Sequence, residues 1–157
     1  MEGNSYMEKI KHLEYFEKII IDNGIIMTPQ RRAILDVLFT NRKRHLTVEE
    51  IWHQAKNIFS QIGIPTVYRT VNQLESIGIL YKIMVQGNCC KYQLTDHEEK
   101  NKHRHFICTR CGSITDIYLP EMSMTEQQIE NRYHVKIENQ NIIYYGLCTQ
   151  CIQVSEE

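Results

Sequence analysis

"IPTVYRTVNQLESIGILYKIMVQGNCCKYQL", residues 64–94, passes from a helical pattern to a β pattern. Thr66 after Pro65 opens a short helix, and Gly78 stops it. Two β-prone runs follow, "ILYKIMV" and "CCKYQL". The "QGN" between them predicts a hairpin with Gly87-Asn88 in the turn.

Upstream, the helix signals repeat. "LTVEEIWHQAKNIF" carries a capping box, with Thr47 as cap and Glu50 three residues on. "MTPQRRAILDVLFTN" has Thr28 as N-cap and Pro29 at the first helical position. Residues 7–23 place Ile10, Leu13, Phe16, Ile19 and Ile20 at helical spacing before Asn23-Gly24 ends the run. Three short helices followed by a hairpin describe a winged helix, whose third helix enters the major groove. Residues 1–95 are therefore read as a winged-helix DNA-binding domain.

Downstream, residues 96–102 are charged and lack an apolar position, which predicts a linker. Residues 103–157 then give strands "HFICT" and "SITDIYL", a helix from about 121 to 132, and an alternating strand "HVKIENQNIIYYGLC". The fold class is α+β: the winged helix, then a small α/β domain. About 50 residues make a thin core, so this second domain needs a staple.

The cysteines supply one. Cys108-x-x-Cys111 and Cys148-x-x-Cys151 stand at the two ends of the small domain. Four thiolates at tetrahedral geometry form a closed structural Zn2+ site, one per chain, and metal binding becomes folding free energy. Two disulfides, or a redox C-x-x-C, are the alternatives. His103 and His105 alternate along a strand and so share a face, an arrangement that suits iron, manganese, zinc or nickel. The alternative is two solvated surface histidines.

The chain has 157 residues and is 42% hydrophobic, which supports a real core. No apolar run approaches the roughly 18 residues of a membrane helix, and the N-terminus lacks a signal peptide's apolar centre. A cytoplasmic protein without a membrane partner is expected. The net charge of −1 hides an asymmetry: −2 over residues 1–27, +4 over 28–85 and −3 over 86–157. A basic middle beside an acidic remainder points to nucleic acid met by one part only.

Taken together, "TPQRRAIL" (28–35), "HLTVEEIW" (45–52), "PTVYRTVNQLESIGI" (65–79), "HRHFICTRCGSITDI" (103–117) and "YYGLCTQC" (144–151) resemble the ferric uptake regulator family of bacterial metal-dependent repressors. The resemblance covers nearly the whole chain. It implies a homodimer with N-terminal DNA-binding domains and a C-terminal dimerisation domain. It implies a repressor of iron or metal uptake genes, with a regulatory divalent metal at the hinge: Fe2+ first, Mn2+ or Zn2+ as alternatives. Peroxide-sensing and zinc-sensing branches are the alternative readings within the family. One reading helix per subunit predicts an inverted-repeat operator of double-stranded DNA.

Carried over residue by residue, the regulatory ligands implied are His45, Gln93, His103, His105 and Asp116. Tyr68 and Arg69 are the implied base-contacting pair, with Thr66 at the start of the same helix. Arg31 and Arg32, with Arg42, Lys43 and Arg44, are candidate phosphate contacts. Three positions depart from the family pattern. Gln93 stands where a carboxylate is usual, which predicts a shifted metal preference and opens a place for the thiolate of Cys89. Ile26 stands where many members carry Lys, and Gln140 where a His is common. Asp116 is the residue of the peroxide-sensing branch. From another class of function, a metalloenzyme using His103, His105 and Asp116 at an open site has no accompanying base or nucleophile motif, so the reading is a regulator and not an enzyme.

Overall fold

Helix α1 (Gly3–Asp22) ends where Gly24 takes a left-handed φ of +74°. The computed structural model describes residues 3–85, 89–95, 104–118, 122–137 and 142–154, with side chains from residue 13 onward except those of 122–125. The turn at Gly87-Asn88, the linker at 96–102, His103 and Gln140 lie outside the described residues. The chain divides into two compact units, Met1–Thr95 and Asp96–Glu157.

In the first unit, α2 (Pro29–Thr40) starts with Pro29, and the Thr28 hydroxyl accepts from Arg31 N–H at 3.3 Å. Helix α3 (Val48–Ile58) has the full capping box: Thr47 N–H donates to Glu50 at 2.8 Å, and Glu50 N–H to Thr47 Oγ1 at 3.2 Å. Helix α4 (Ile64–Ser76) begins two residues before the expected Thr66. Gly63 is its N-cap without a side-chain bond, and Pro65 falls in the first turn, where a missing N–H costs nothing. Gly78 leaves α4 at φ +75°, a conformation that suits glycine.

Strands β1 (Leu80–Val85) and β2 (Cys89–Leu94) pair antiparallel from Leu80↔Leu94 to Val85↔Cys89. This hairpin is the wing. Leu46 adds an isolated antiparallel bridge to Tyr92, exchanging both backbone hydrogen bonds at 2.9 and 2.8 Å. The apolar faces of α1 to α4 and the wing meet in one core that includes Ile20, Ile34, Leu38, Ile51, Val71 and Leu80. Each such side chain contributes about 1.5–3 kcal/mol by leaving water. Trp52 packs against this core and donates to Ile62 O at 2.9 Å.

The second unit is built on a three-stranded sheet in the order β4-β3-β5. Strand β3 (Arg104–Cys108) is central, antiparallel to β4 (Ile114–Ile117) and parallel to β5 (Ile143–Gly146). Helix α5 (Met122–Tyr133) lies in the β4-to-β5 connection, and α6 (Thr149–Gln153) closes the described chain. Of the alternating strand expected over 134–148, residues 138–141 lie outside the described residues, and the described part holds a strand at Ile143–Gly146. His134 turns left-handed at φ 53°, and the Ile137 N–H is taken by Glu130 at 2.8 Å, so among the described residues extended pairing is seen from Ile143. Among the described residues, no helix is long and apolar enough to cross a membrane.

Candidate metal centres and nucleic-acid interface

The four cysteines come together at one end of the second sheet. Cys108 ends β3, and a turn brings Cys111 back over it, with Gly112 N–H bonded to Cys108 O at 2.9 Å. Gly112 sits at φ +68°, which the tight return requires. The other pair was expected to end the last strand. Instead Cys148 is the N-cap of α6 and Cys151 lies in its first turn, a three-residue spacing that puts both sulfurs on one side. Thr109 N–H to Gly146 O at 2.7 Å and Arg110 Nη1 to Cys151 O at 2.8 Å tie the two knuckles together.

The sulfurs of Cys108, Cys111, Cys148 and Cys151 all lie within 4.8 Å of one another. Cys111 Sγ and Cys148 Sγ are 3.8 Å apart, and all four are free thiols. Sulfurs bound at about 2.3 Å to one tetrahedral zinc stand about 3.8 Å apart, whereas a disulfide needs about 2.0 Å. The set therefore fits a structural zinc site. Its protonation is uneven. Backbone N–H groups of Cys111 and then Cys148 hold the Cys108 thiol down to about 6. Ser113 lowers Cys111. Burial, and then the neighbouring sulfurs, push Cys151 up to about 12. Four thiolates brought this close would repel one another, and a dication would neutralise them.

His105 and Asp116 face each other across β3 and β4 as direct register partners, with Nε2 3.6 Å from Oδ1. The sequence placed them on neighbouring strands, and the register now makes them a pair. His103, one strand alternation earlier, lies outside the described residues.

In the first unit, Gln93 is buried at 7% exposure, and both ends of its amide are engaged. Nε2 donates to Arg42 O at 2.9 Å, and Oε1 accepts the hydroxyl of Tyr81, its cross-strand partner. The Leu46↔Tyr92 bridge puts His45 in line with Gln93 on the next rung. The Tyr81 oxygen lies 3.4 Å from His45 Nε2, with the rings edge-on at 6.1 Å. Sequence reasoning missed Tyr81. The signal was available, because pairing the two β-prone runs antiparallel, end to end, sets residue 81 opposite residue 93. Cys89 is exposed on β2, four residues before Gln93.

On α4, Tyr68 and Arg69 are exposed and Thr66 is half-buried. The Tyr68 hydroxyl donates to Glu49 at 3.1 Å, and this bond and the carboxylate charge raise the phenol's pKa. The candidate phosphate contacts divide. Arg31 is spent inside the unit, on Ile26 O and on Gln73 Oε1 at 3.0 Å. Arg32 is exposed and paired with Glu17 at 2.9 Å. Arg42, Lys43 and Arg44 are exposed, Arg42 lying over the Phe39 ring and Arg44 bonded to Asn41. Ile26 is 75% exposed and offers no charge.

A sequence model of the ferric uptake regulator family matches residues 22–145. The ferric uptake regulation protein of Campylobacter upsaliensis is 32% identical over 150 residues, covering 92% of this chain and 94% of that one. The peroxide-responsive repressor PerR of Staphylococcus saprophyticus is 30% identical over 146 residues, covering 92% and 95%. The structure of the Helicobacter pylori ferric uptake regulator Fur, described as revealing three functional metal binding sites, is similar at a TM-score of 0.75 and 25% identity, covering 92% and 93%.

Proposed function

This chain belongs to the ferric uptake regulator family, and on that premise we propose how its residues serve a metal-responsive, DNA-binding transcriptional regulator. Such a regulator is not an enzyme and acts as a dimer. We propose that it is a cytoplasmic repressor of iron or metal uptake genes, with residues 1–95 reading DNA, 96–102 as linker and 103–157 as the dimerisation and metal-binding domain.

The observation that carries the DNA reading is the exposed Tyr68–Arg69 pair at the start of α4 in a winged-helix unit. The Arg69 guanidinium suits a guanine edge, and the Tyr68 ring suits thymine methyls. Thr66 and Arg32 are proposed as further DNA contacts, Arg32 to the phosphate backbone. Arg31 acts from inside, holding α2 to α4 through Gln73. With one reading helix per protomer, the operator is an inverted repeat.

A structural zinc on Cys108, Cys111, Cys148 and Cys151 supplies the charge that four thiolates need. The cysteine pairs bring to it the end of β3 and the start of α6. We propose that a separate regulatory ion, Fe2+ first with Mn2+ or Zn2+ as alternatives, is held by His45, His103, His105 and Asp116, with the rung that carries Gln93 as the wing's share. An ion bound by residues on several elements favours the one arrangement of them it fits, and so shifts the population toward it. The coupling is worth about 1–3 kcal/mol.

The test is DNA binding by the zinc-loaded protein with Fe2+, Mn2+ or Zn2+ added singly. Tightening of sequence-specific binding by one of these ions is expected. Binding indifferent to every ion sinks the regulatory reading. Asp116 and the similarity to PerR favour a peroxide-sensing variant as the second reading. Its signature is loss of DNA binding when the iron-loaded form meets peroxide, with oxygen added to a ligating histidine.

A further inference from the structure

We propose that Tyr81, not Gln93, is the wing residue whose side chain coordinates the regulatory ion. The inference rests on the proposed regulatory site and names a ligand within it. Gln93 is a poor candidate because both ends of its buried amide are committed, to Arg42 O and to the Tyr81 hydroxyl. Turning it toward an ion breaks both bonds and leaves the Arg42 carbonyl without its donor.

The same bond prepares Tyr81. A phenol has one proton, and here Gln93 Oε1 receives it. The Tyr81 oxygen lies 3.4 Å from His45 Nε2. Two donors each about 2.1 Å from one ion, at a tetrahedral angle, stand about 3.4 Å apart. The Tyr81 oxygen and His45 Nε2 thus have the bite of a metal-binding pair, and both come from one rigid assembly. The Leu46↔Tyr92 bridge fixes the backbone beside His45, and the β1–β2 register fixes Tyr81 opposite Gln93. Gln93 is then the positioning residue behind the ligand, as a hydrogen-bonded partner usually stands behind a metal-bound side chain. A neutral phenol leaves the site one charge poorer than a carboxylate would; on a trivalent or strongly polarising ion it would give up its proton to solvent and bind as phenolate.

The experiment uses the full-length, zinc-loaded dimer, titrated with Mn2+ by calorimetry as wild type, Tyr81→Phe and His105→Ala. Tyr81→Phe is expected to weaken Mn2+ binding at least tenfold while the cysteine-bound zinc stays at one per chain. Equal affinity in Tyr81→Phe overturns the proposal. If His105→Ala keeps Mn2+ while Tyr81→Phe loses it, the Tyr81 assignment stands and the His105 part of the regulatory reading falls. Direct ligation is separated from mere positioning by ferric ion supplied as a weak chelate. Wild type should show a visible phenolate-to-iron charge-transfer band that Tyr81→Phe lacks. Absence of that band from wild type, or its persistence in Tyr81→Phe, overturns ligation by Tyr81.

Discussion

The hydroxyl of Tyr68 donates to the carboxylate of Glu49 at 3.1 Å, so α3 holds the proposed reading residue of α4 by its polar end. On the proposed reading, the ring and not the hydroxyl is what the helix would offer to a base. Tyr68→Phe should leave operator affinity within about twofold, whereas Tyr68→Ala should cost about 1–3 kcal/mol. Fluorescence anisotropy on one operator measures both. A loss in Tyr68→Phe as large as in Tyr68→Ala would mean that the hydroxyl reads DNA itself.

Arg31 and Arg69 test the proposed division between structural and DNA-reading arginines. Arg69 is exposed, and Arg69→Ala should cost about 1–3 kcal/mol and relax base preference. Arg31 is bound to Ile26 O and Gln73 Oε1, so Arg31→Ala should lower the thermal midpoint and leave the salt dependence of DNA binding unchanged. A phosphate contact would instead cut the slope of log K against log salt by about one. Such a cut in Arg31→Ala would return Arg31 to the interface.

The helices and the wing were legible because their signals are local. Thr28, Thr47 and Gly78 each act within a few residues, and each occupies the cap or stop its chemistry predicts. The start of the extended strand expected over 134–148 misled, because alternation of apolar residues does not reveal that His134 turns left-handed or that Glu130 captures the Ile137 N–H. The metal-ligand residue types were legible from spacing, as the convergence of the four cysteines illustrates. What spacing could not give was occupancy. That Arg31 is consumed by Gln73, or Gln93 by Arg42 and Tyr81, depends on contacts 42, 51 and 12 residues apart.

Gln93→Glu tests the rung from its other side. The family pattern alone suggests that restoring a carboxylate should tighten Mn2+. In this fold the new oxygen would face the Arg42 carbonyl where an N–H now donates at 2.9 Å. Two acceptors in contact at a buried position cost about 1–3 kcal/mol. The expected result is a lower unfolding midpoint in the metal-free protein and no gain in Mn2+ affinity. Tighter Mn2+ binding at unchanged stability would show that residue 93 turns to the ion after all.

Zinc uptake at the cysteine cluster should release protons, and the thiols say in which direction. At pH 7 Cys108, held down to about 6, is already mostly thiolate, while Cys151, pushed up to about 12, is protonated. A tetrahedral zinc takes all four sulfurs as thiolates, so binding must expel at least the Cys151 proton. Each released proton makes affinity rise by about tenfold per pH unit, so zinc binds more tightly as pH rises. Below about 6 the Cys108 proton must leave as well, and the dependence steepens. Calorimetric zinc titrations in two buffers of different ionisation enthalpy count the protons. Cys108→Ser should release the zinc and, because the pair joins β3 to the start of α6, disperse the dimer as read by light scattering. A Cys108→Ser protein that keeps both zinc and dimer, or a wild type that binds zinc with no proton released at pH 7, would overturn the four-thiolate site.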